Sequence, residues 1–400
     1  MPVIQSKPAL KVSPPRQAAA SPVAPPPAPA PARASSSASA ARKPRPVARR
    51  FRGGAKLANK ELPSFSRQMA AMLTAGMPII SALEAVEEQA SNPQFKLVIS
   101  EIRRHIESGL SFSESISQIP EVFDDLYVNM TRAGERSGQF AETMRRTALL
   151  LENNMRLKRK VKSAMTYPMV VMSLALIIAS GMILFIVPVF SSMYSDFGKK
   201  LPGPTQFLVD LSNGAKRYSP IIVPAIIALV WGFRRWKKTA AGAFAMDSFY
   251  LRAPVFGVLA QKVAISRLAR TLAQMLSSGV PILGSLEIVS KACGNLVVGK
   301  AVMRAHGIVE RGDTLSSAME NQPAIPSMLV RMLAAGEKTG KVDEMMVNIA
   351  DTYDDEIETM LASLTSLMEP LLMIFLGVII GSIVVCMFMP IFKMSEAVNM

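Results

Sequence analysis

Leu73-Thr74-Ala75-Gly76-Met77-Pro78-Ile79-Ile80 returns as Leu276-Ser277-Ser278-Gly279-Val280-Pro281-Ile282-Leu283, and Glu84 returns at the same offset as Glu287. The register still holds at Glu107 and Gly109 against Glu310 and Gly312. One residue is then deleted, after which Ala133-Gly134-Glu135-Arg136-Ser137-Gly138 aligns with Ala335-Gly336-Glu337-Lys338-Thr339-Gly340. Pro168 against Pro370 and Pro188 against Pro390 keep that shifted register. A repeat of this length means one structural unit built twice.

Three apolar stretches lie around the repeats, at residues 169–190, 219–233 and 371–392. The first and third carry no Asp, Glu, Lys, Arg or His and, at about 1.5 Å per residue, can cross about 30 Å of hydrocarbon. The middle one is short and holds Pro220 and Pro224, so hydropathy alone leaves it open between a span and a buried helix. Each repeat runs from a polar helical region straight into an apolar stretch, so two copies of one structure should face the same side. That requires an odd number of crossings between them, and residues 219–233 are the candidate, anchored by Lys216, Arg217, Arg234, Arg235 and Trp236. Basic groups before the first span and after the second place both polar regions in the cytoplasm.

The sequence therefore predicts an all-α fold of two homologous helical bundles and three transmembrane helices. Residues 1–60 form a tail, 61–166 the first bundle, 167–190 the first span, 191–218 an external loop and 219–236 the second span. Residues 237–369 form the second bundle, 370–392 the third span and 393–400 a short tail on the outside.

The formal charge of +15 looks at first like a nucleic-acid signature. Residues 1–60, however, hold twelve Lys or Arg and no acid, so 15 − 12 leaves +3 for all the rest. That tail is dominated by Pro, Ala and Ser, cannot bury enough apolar surface to fold, and has Phe51 as its one aromatic. It reads as a disordered segment, solvated or in loose contact with a membrane surface, with an organellar transit peptide as a minor alternative and no nucleic-acid partner. Cys293 and Cys386 cannot build a disulfide framework. His105 and His306 have no metal-ligand cluster around them, and no cofactor or metal is expected.

Gly76 closes a helix and Pro78 sits where the next one starts, as do Gly279 and Pro281 in the second copy. Ser111 and Glu114 have capping-box spacing, which Thr314 only half reproduces. Phe140, Met144, Leu151 and Met155 mark one face of a long stem helix leading to the first span; Val342, Met346, Ile349, Tyr353, Ile357 and Leu364 repeat it. Gly336-Glu337-Lys338-Thr339-Gly340-Lys341 resembles a phosphate loop, but three residues separate its glycines where four are needed, and Val342 replaces the magnesium-binding hydroxyl. It reads as a helix-to-helix turn. Asp124-Asp125 and Asp354-Asp355 read as solvated helix charges, and Glu369 before Pro370 as an interfacial acid.

Phe65-Ser66-Arg67-Gln68-Met69 through Gly76-Met77-Pro78 to Leu83-Glu84 resembles the opening motif of the GspF/PilC family of platform proteins. Gly336-Glu337-Lys338-Thr339-Gly340 followed by Asp343-Glu344-Met345, then Leu367-Met368-Glu369-Pro370-Leu371, Gly377 and Pro390-Ile391-Phe392, is similar to that family's C-terminal signature. The resemblance covers residues 62–400. It implies six-helix cytoplasmic bundles in a bacterial inner-membrane homo-oligomer, and contacts with a cytoplasmic hexameric ATPase, pilin or pseudopilin subunits and other inner-membrane assembly proteins. It further implies a non-enzymatic scaffold that couples ATPase motion to extraction of pilins into a filament.

A transporter or channel built from repeats is the rival reading, and the absence of ionisable residues in the spans counts against it. A membrane enzyme is disfavoured by the missing nucleophile, metal cluster and phosphate loop. Three arrangements are expected from comparing the copies. Arg67 should meet Glu135, and Arg270 should meet Glu337. Gly377 and Gly381, with Ala175 and Ala179 as their counterparts, should form a packing face in lipid. The basic stem, from Arg145 and Arg146 through Arg156, Lys158, Arg159, Lys160 and Lys162, should lie beside the acidic one of Asp351, Asp354, Asp355, Glu356 and Glu358, in the same chain or the next.

Overall fold

The computed structural model describes residues 54–196, 202–320 and 322–398, and every regular element in them is a helix. The predicted disordered tail lies almost wholly outside the described residues. Its last residues do not: α1 runs Gly54–Thr74, with Leu57 and Leu62 already buried. Helix α1 thus starts ahead of residue 61, because its apolar period reaches back past Pro63.

Six elements of the first copy, α1, α2 (Ile79–Gln89), α3 (Pro93–Glu107), α4 (Phe112–Ser117), α5 (Asp125–Ser137) and α6 (Phe140–Gly181), recur in the second. Their counterparts are α10 (Phe256–Ser277), α11 (Ile282–Ala292), α12 (Leu296–Val309), α13 (Leu315–Glu320), α14 (Ser327–Thr339) and α15 (Val342–Val398). From α2 to α6 each helix begins at the residue the repeat dictates, and the one-residue deletion falls in the loop before α5 or α14. Turns repeat as well. Gly76, Gly109 and Gly138 have φ of 80°, 95° and 70°, and Gly279, Gly312 and Gly340 have 78°, 102° and 71°. These left-handed positions end helices at no steric cost only for glycine. Pro78 and Pro281 sit at the N-cap, one position ahead of the predicted first turn. Asn92 and Asn295 cap α3 and α12 through their side-chain oxygens, a repeated cap that periodicity does not reveal.

The two cores share a plan and differ in filling. In the first, Phe65 meets Phe95 edge-on at 5.6 Å, Phe123 meets Tyr127 at 5.1 Å, and Phe112 meets Phe140 at 5.2 Å. At the equivalent positions the second core has Leu268, Val298, Ile325, Leu329, Leu315 and Val342. Smaller side chains require closer helices to keep packing dense. Accordingly α12 carries Gly299 where α3 has Lys96, and a Cβ there would lie 2.3 Å from the Ser290 carbonyl oxygen. The copies also pack on each other: Leu126, Met130 and Leu150 of the first share a core with Met275 and Ile288 of the second.

Beyond the bundles, α6 continues through a π-helical turn (Met182–Ile186) into α7 (Val187–Asp196), giving one continuous helix over Phe140–Ser192 whose part beyond the basic stem is apolar. The π-turn lies just ahead of Pro188, whose missing N–H breaks the regular ladder. That helix and Val342–Met389 of α15 are each long and apolar enough to cross a membrane. The predicted loop at 191–218 is in large part helical: α7 reaches Asp196 and α8 runs Gly203–Trp236. Val209 and Thr205 of α8 are buried, and the Thr205 hydroxyl donates to the Cys386 carbonyl at 2.5 Å. Sequence reading missed this segment because its helical face answers to α15 rather than to a core of its own. The second predicted span is the rest of α8, which bends by 54° between Gly203–Ile222 and Pro224–Trp236, as two prolines within one helix would cause. A short α9 (Ala240–Arg252) then leads into α10.

Candidate functional site

The stems are the elements that join each bundle to its membrane helix, and the structure brings them together within one chain. Leu157 of α6 packs with Ile357 and Leu361 of α15 and with Leu259 of α10, all at least nine-tenths buried. Above this apolar contact opens a cleft of about 240 Å³, with Arg156 and Lys160 on one wall and Asp351, Asp354, Asp355 and Glu358 on the other. Lys160 bridges it by donating to Glu358, and that bond holds the Glu358 carboxyl below its ordinary pKa.

Each stem is also tied to the first helix of its own bundle. Arg270 donates to Asp354 at 2.6 Å and to Asp351 at 2.9 Å, and Ser266 donates to the other Asp354 oxygen at 2.6 Å. Lys262 reaches Glu356 at 2.6 Å. In the first copy Arg67 donates to Glu152 at 2.7 Å, and Glu152 occupies the repeat position of Asp354. The expected pairing of Arg67 with Glu135 and of Arg270 with Glu337 is therefore corrected: both arginines clamp the stem instead.

Glu135 and Glu337 have a different task, the same in both copies. Glu135 accepts from the backbone N–H of Phe112 at 2.7 Å and of Ser113 at 3.2 Å; Glu337 accepts from Leu315 at 2.5 Å and Ser316 at 3.1 Å. Each carboxylate satisfies orphan donors at the start of α4 or α13, where the helix dipole also favours it. The glycines beside them are close-approach positions. A Cβ on Gly134 would lie 2.5 Å from the Thr143 hydroxyl, and one on Gly336 would lie 2.8 Å from the Val342 Cα. Gly138 and Gly340 cap α5 and α14 in the left-handed region; Gly336 to Thr339 are the last residues of α14, so the helix-to-helix turn expected over Gly336 to Lys341 narrows to Gly340 and Lys341.

Of the acidic pairs, Asp124, Asp125 and Asp355 are exposed, as expected, and Asp124 also caps α5 by accepting from the Tyr127 N–H at 2.9 Å; the half-buried Asp354 departs from that reading as the clamped acid described above. Within the basic stem, Arg145 and Arg146 both donate to Glu142, whose pKa those bonds lower to about 2. Arg146 also donates to the Ser277 carbonyl at the end of α10, at 2.7 Å. Glu84 and Glu287 meet Arg103 and Lys291 on helix surfaces, and Glu369 is exposed where the third apolar segment begins.

The small-residue patterns divide. Ala175 and Ala179 are buried, Ala179 among Val187, Val209, Ile383 and Met387, whereas Cβ atoms on Gly377 and Gly381 would meet nothing within 4 Å. No group of three or more His, Cys, Asp or Glu side chains able to hold a metal occurs among the described residues.

Two copies of one helical unit, each with a capped turn and an arginine clamped to its stem, match a known sequence profile twice. The profile of the type II secretion system (T2SS), protein F, covers residues 65–188 and 268–390, the same segments the internal repeat defines. The chain belongs to the T2SS protein F family. Its similarity to family members extends over most of its length. It is 39% identical over 347 residues to the type IV pilus assembly protein PilC of Myxococcus xanthus, covering 87% of this chain and 83% of that one. With the PilC of Thermus thermophilus it shares 40% over 335 residues, 84% and 82% of the two chains. With the type II secretion system protein F of Vibrio cholerae it shares 29% over 344 residues, 86% and 84%. The T2SS protein F profile includes both stems and the apolar helices that follow them.

Proposed function

We propose that this chain is a non-catalytic inner-membrane platform for type IV pilus assembly or type II secretion, coupling a cytoplasmic hexameric ATPase to polymerisation of pilin or pseudopilin subunits. The observation that carries the proposal is the continuity of α6 and α15 from packed bundle into apolar segment, with the two stems locked together where they leave the bundles. A displacement applied to either bundle can pass along a continuous helix into its apolar segment, which is what transmission of motion to a membrane-embedded subunit needs. The relatives' names, pilus assembly protein and secretion system protein, are those of assembly components.

The finer architecture belongs to the same proposal. Each bundle is of the six-helix type, the bent α8 is a third crossing, both bundles and the N-terminus are cytoplasmic, and the C-terminus is outside. The domain limits, and the roles of the repeated Gly, Pro and Glu positions as packing or partner contacts in a homo-oligomer, follow from it. The test is deletion of the gene followed by complementation with the wild-type chain and with a Lys160→Glu variant. Loss of surface filaments or of secretion, restored by wild type with the ATPase co-purifying from membranes, is expected. ATP hydrolysis or solute flux by the purified, reconstituted chain alone would overturn the scaffold reading.

A further inference from the structure

The junction between α9 and α10 has two features that the assembly role does not use. First, it exposes a cluster of large apolar side chains outside the spans: Phe249 is 67% exposed, Val255 51%, and Tyr250 and Phe256 44% each. Second, Val255 has φ 66° and ψ −57°, the one positive φ at a non-glycine among the described residues. The Phe256 N–H donates to the Pro254 carbonyl at 2.7 Å, closing a three-residue turn of the strained γ type. A β-branched residue in that conformation is a genuine outlier, and strain of this kind persists where surroundings or function require it. Gly257 lets the turn fold tightly, since a Cβ there would lie 2.3 Å from the Leu251 carbonyl oxygen.

Depth identifies what covers these side chains. Helices α10 and α15 are antiparallel, in a register fixed by Arg270 and Ser266 on Asp354, Lys262 on Glu356, and Leu259 against Leu361. That register brings Phe256 level with Leu364, seven residues before Leu371, or about 10 Å of helix rise. The polar zone of a leaflet is about 5–8 Å deep, so a ring projecting from the turn enters it. A second marker agrees: the Lys237 ammonium, one residue past the end of α8, sits 5.8 Å from the Tyr250 ring centroid. Lys238 follows Lys237 and Arg252 ends α9 two residues after Tyr250, and aromatic rings beside cations are the composition of a membrane interface. By sequence, the first copy has Arg52 and Gly53 where the second has Val255 and Phe256.

From this we infer that the α9–α10 turn is a membrane-surface anchor: Phe249, Tyr250, Val255 and Phe256 enter the polar zone of the lipid leaflet beside the second bundle. It holds on whichever side of the bilayer that bundle lies. The test uses the full chain reconstituted in phosphatidylethanolamine–phosphatidylglycerol vesicles, with cysteines introduced one at a time at 249, 250, 255 and 256 and labelled with an environment-sensitive fluorophore in a Cys386→Ser background, the remaining Cys293 being buried and shielded from the label. Four separate positions guard against one misfolded variant, and a label at exposed Leu97 serves as the aqueous control. Lipids carrying a nitroxide near the headgroup should quench the turn labels several-fold more than the control, with little quenching by aqueous iodide. Iodide quenching equal to that at Leu97 would overturn the inference, and so would protection from both quenchers, which would mean that a second copy or another protein covers the turn.

Discussion

Arg67 and Arg270 occupy one repeat position and make the same kind of bond, yet their surroundings set different energies. The Arg67 side chain is 70% exposed, whereas that of Arg270 is 12% exposed and holds two carboxylates. Arg67→Ala should cost about 0–1 kcal/mol, as exposed pairs do. Arg270→Ala should cost about 1.5–3 kcal/mol, because it strands the partly buried Asp354. Denaturant unfolding of the solubilised protein compares the two directly. The glycines separate in the same way. Gly336→Ala forces a Cβ against the Val342 backbone and should lose about 1–3 kcal/mol, while Gly377→Ala, facing open space within the chain, should leave folding stability unchanged. A comparable loss at Gly377 would mean that the residue packs within the folded chain after all.

At the scale of elements, the stems form the bond that holds the two repeats at their exit from the bundles. Cysteines replacing Lys160 and Glu358 should crosslink within a single chain, and Lys160→Glu should loosen the stems unless Glu358→Lys is added. Failure of the double reversal to restore crosslinking of neighbouring positions would show that charge does not set the register. Acid should act on the same contacts. Glu142 and Glu358 both have folded-state pKa values below the ordinary one, so their stabilisation is complete above the unfolded value of 4.5 and disappears as pH falls. For Glu142 the loss spans about 4.5 down to about 2, and helix unfolding followed by circular dichroism should steepen there. Of all this, the sequence makes helix existence, order and repeat register legible, because glycine turns and apolar periods are local signals. The opposite charges of the two stems are equally plain. The partners of individual arginines are not: the donors at the start of α4 take Glu135, leaving Arg67 to Glu152, in a way no spacing reveals. The burial of α8 against α15 escapes for the same reason, being set by an element nearly two hundred residues away.

The whole molecule depends on the seam where the first copy's Leu126, Met130 and Leu150 meet the second copy's Met275 and Ile288. Leu150 is 1% exposed, and Leu150→Ala should cost about 2–5 kcal/mol. Because each bundle keeps its own core, the expected signature is early protease cleavage between the copies before either unfolds; simultaneous loss of both would mean that neither is stable alone. The stems carry a further consequence. Had the unit remained single and paired with an identical chain about a twofold axis, each residue near that axis would face its own copy, and a basic stem would meet a basic stem. Tandem duplication releases the pair from that symmetry. Once the copies are covalently joined, one can become the cation and the other the anion, and an attraction forbidden to a homodimer becomes available within a single polypeptide.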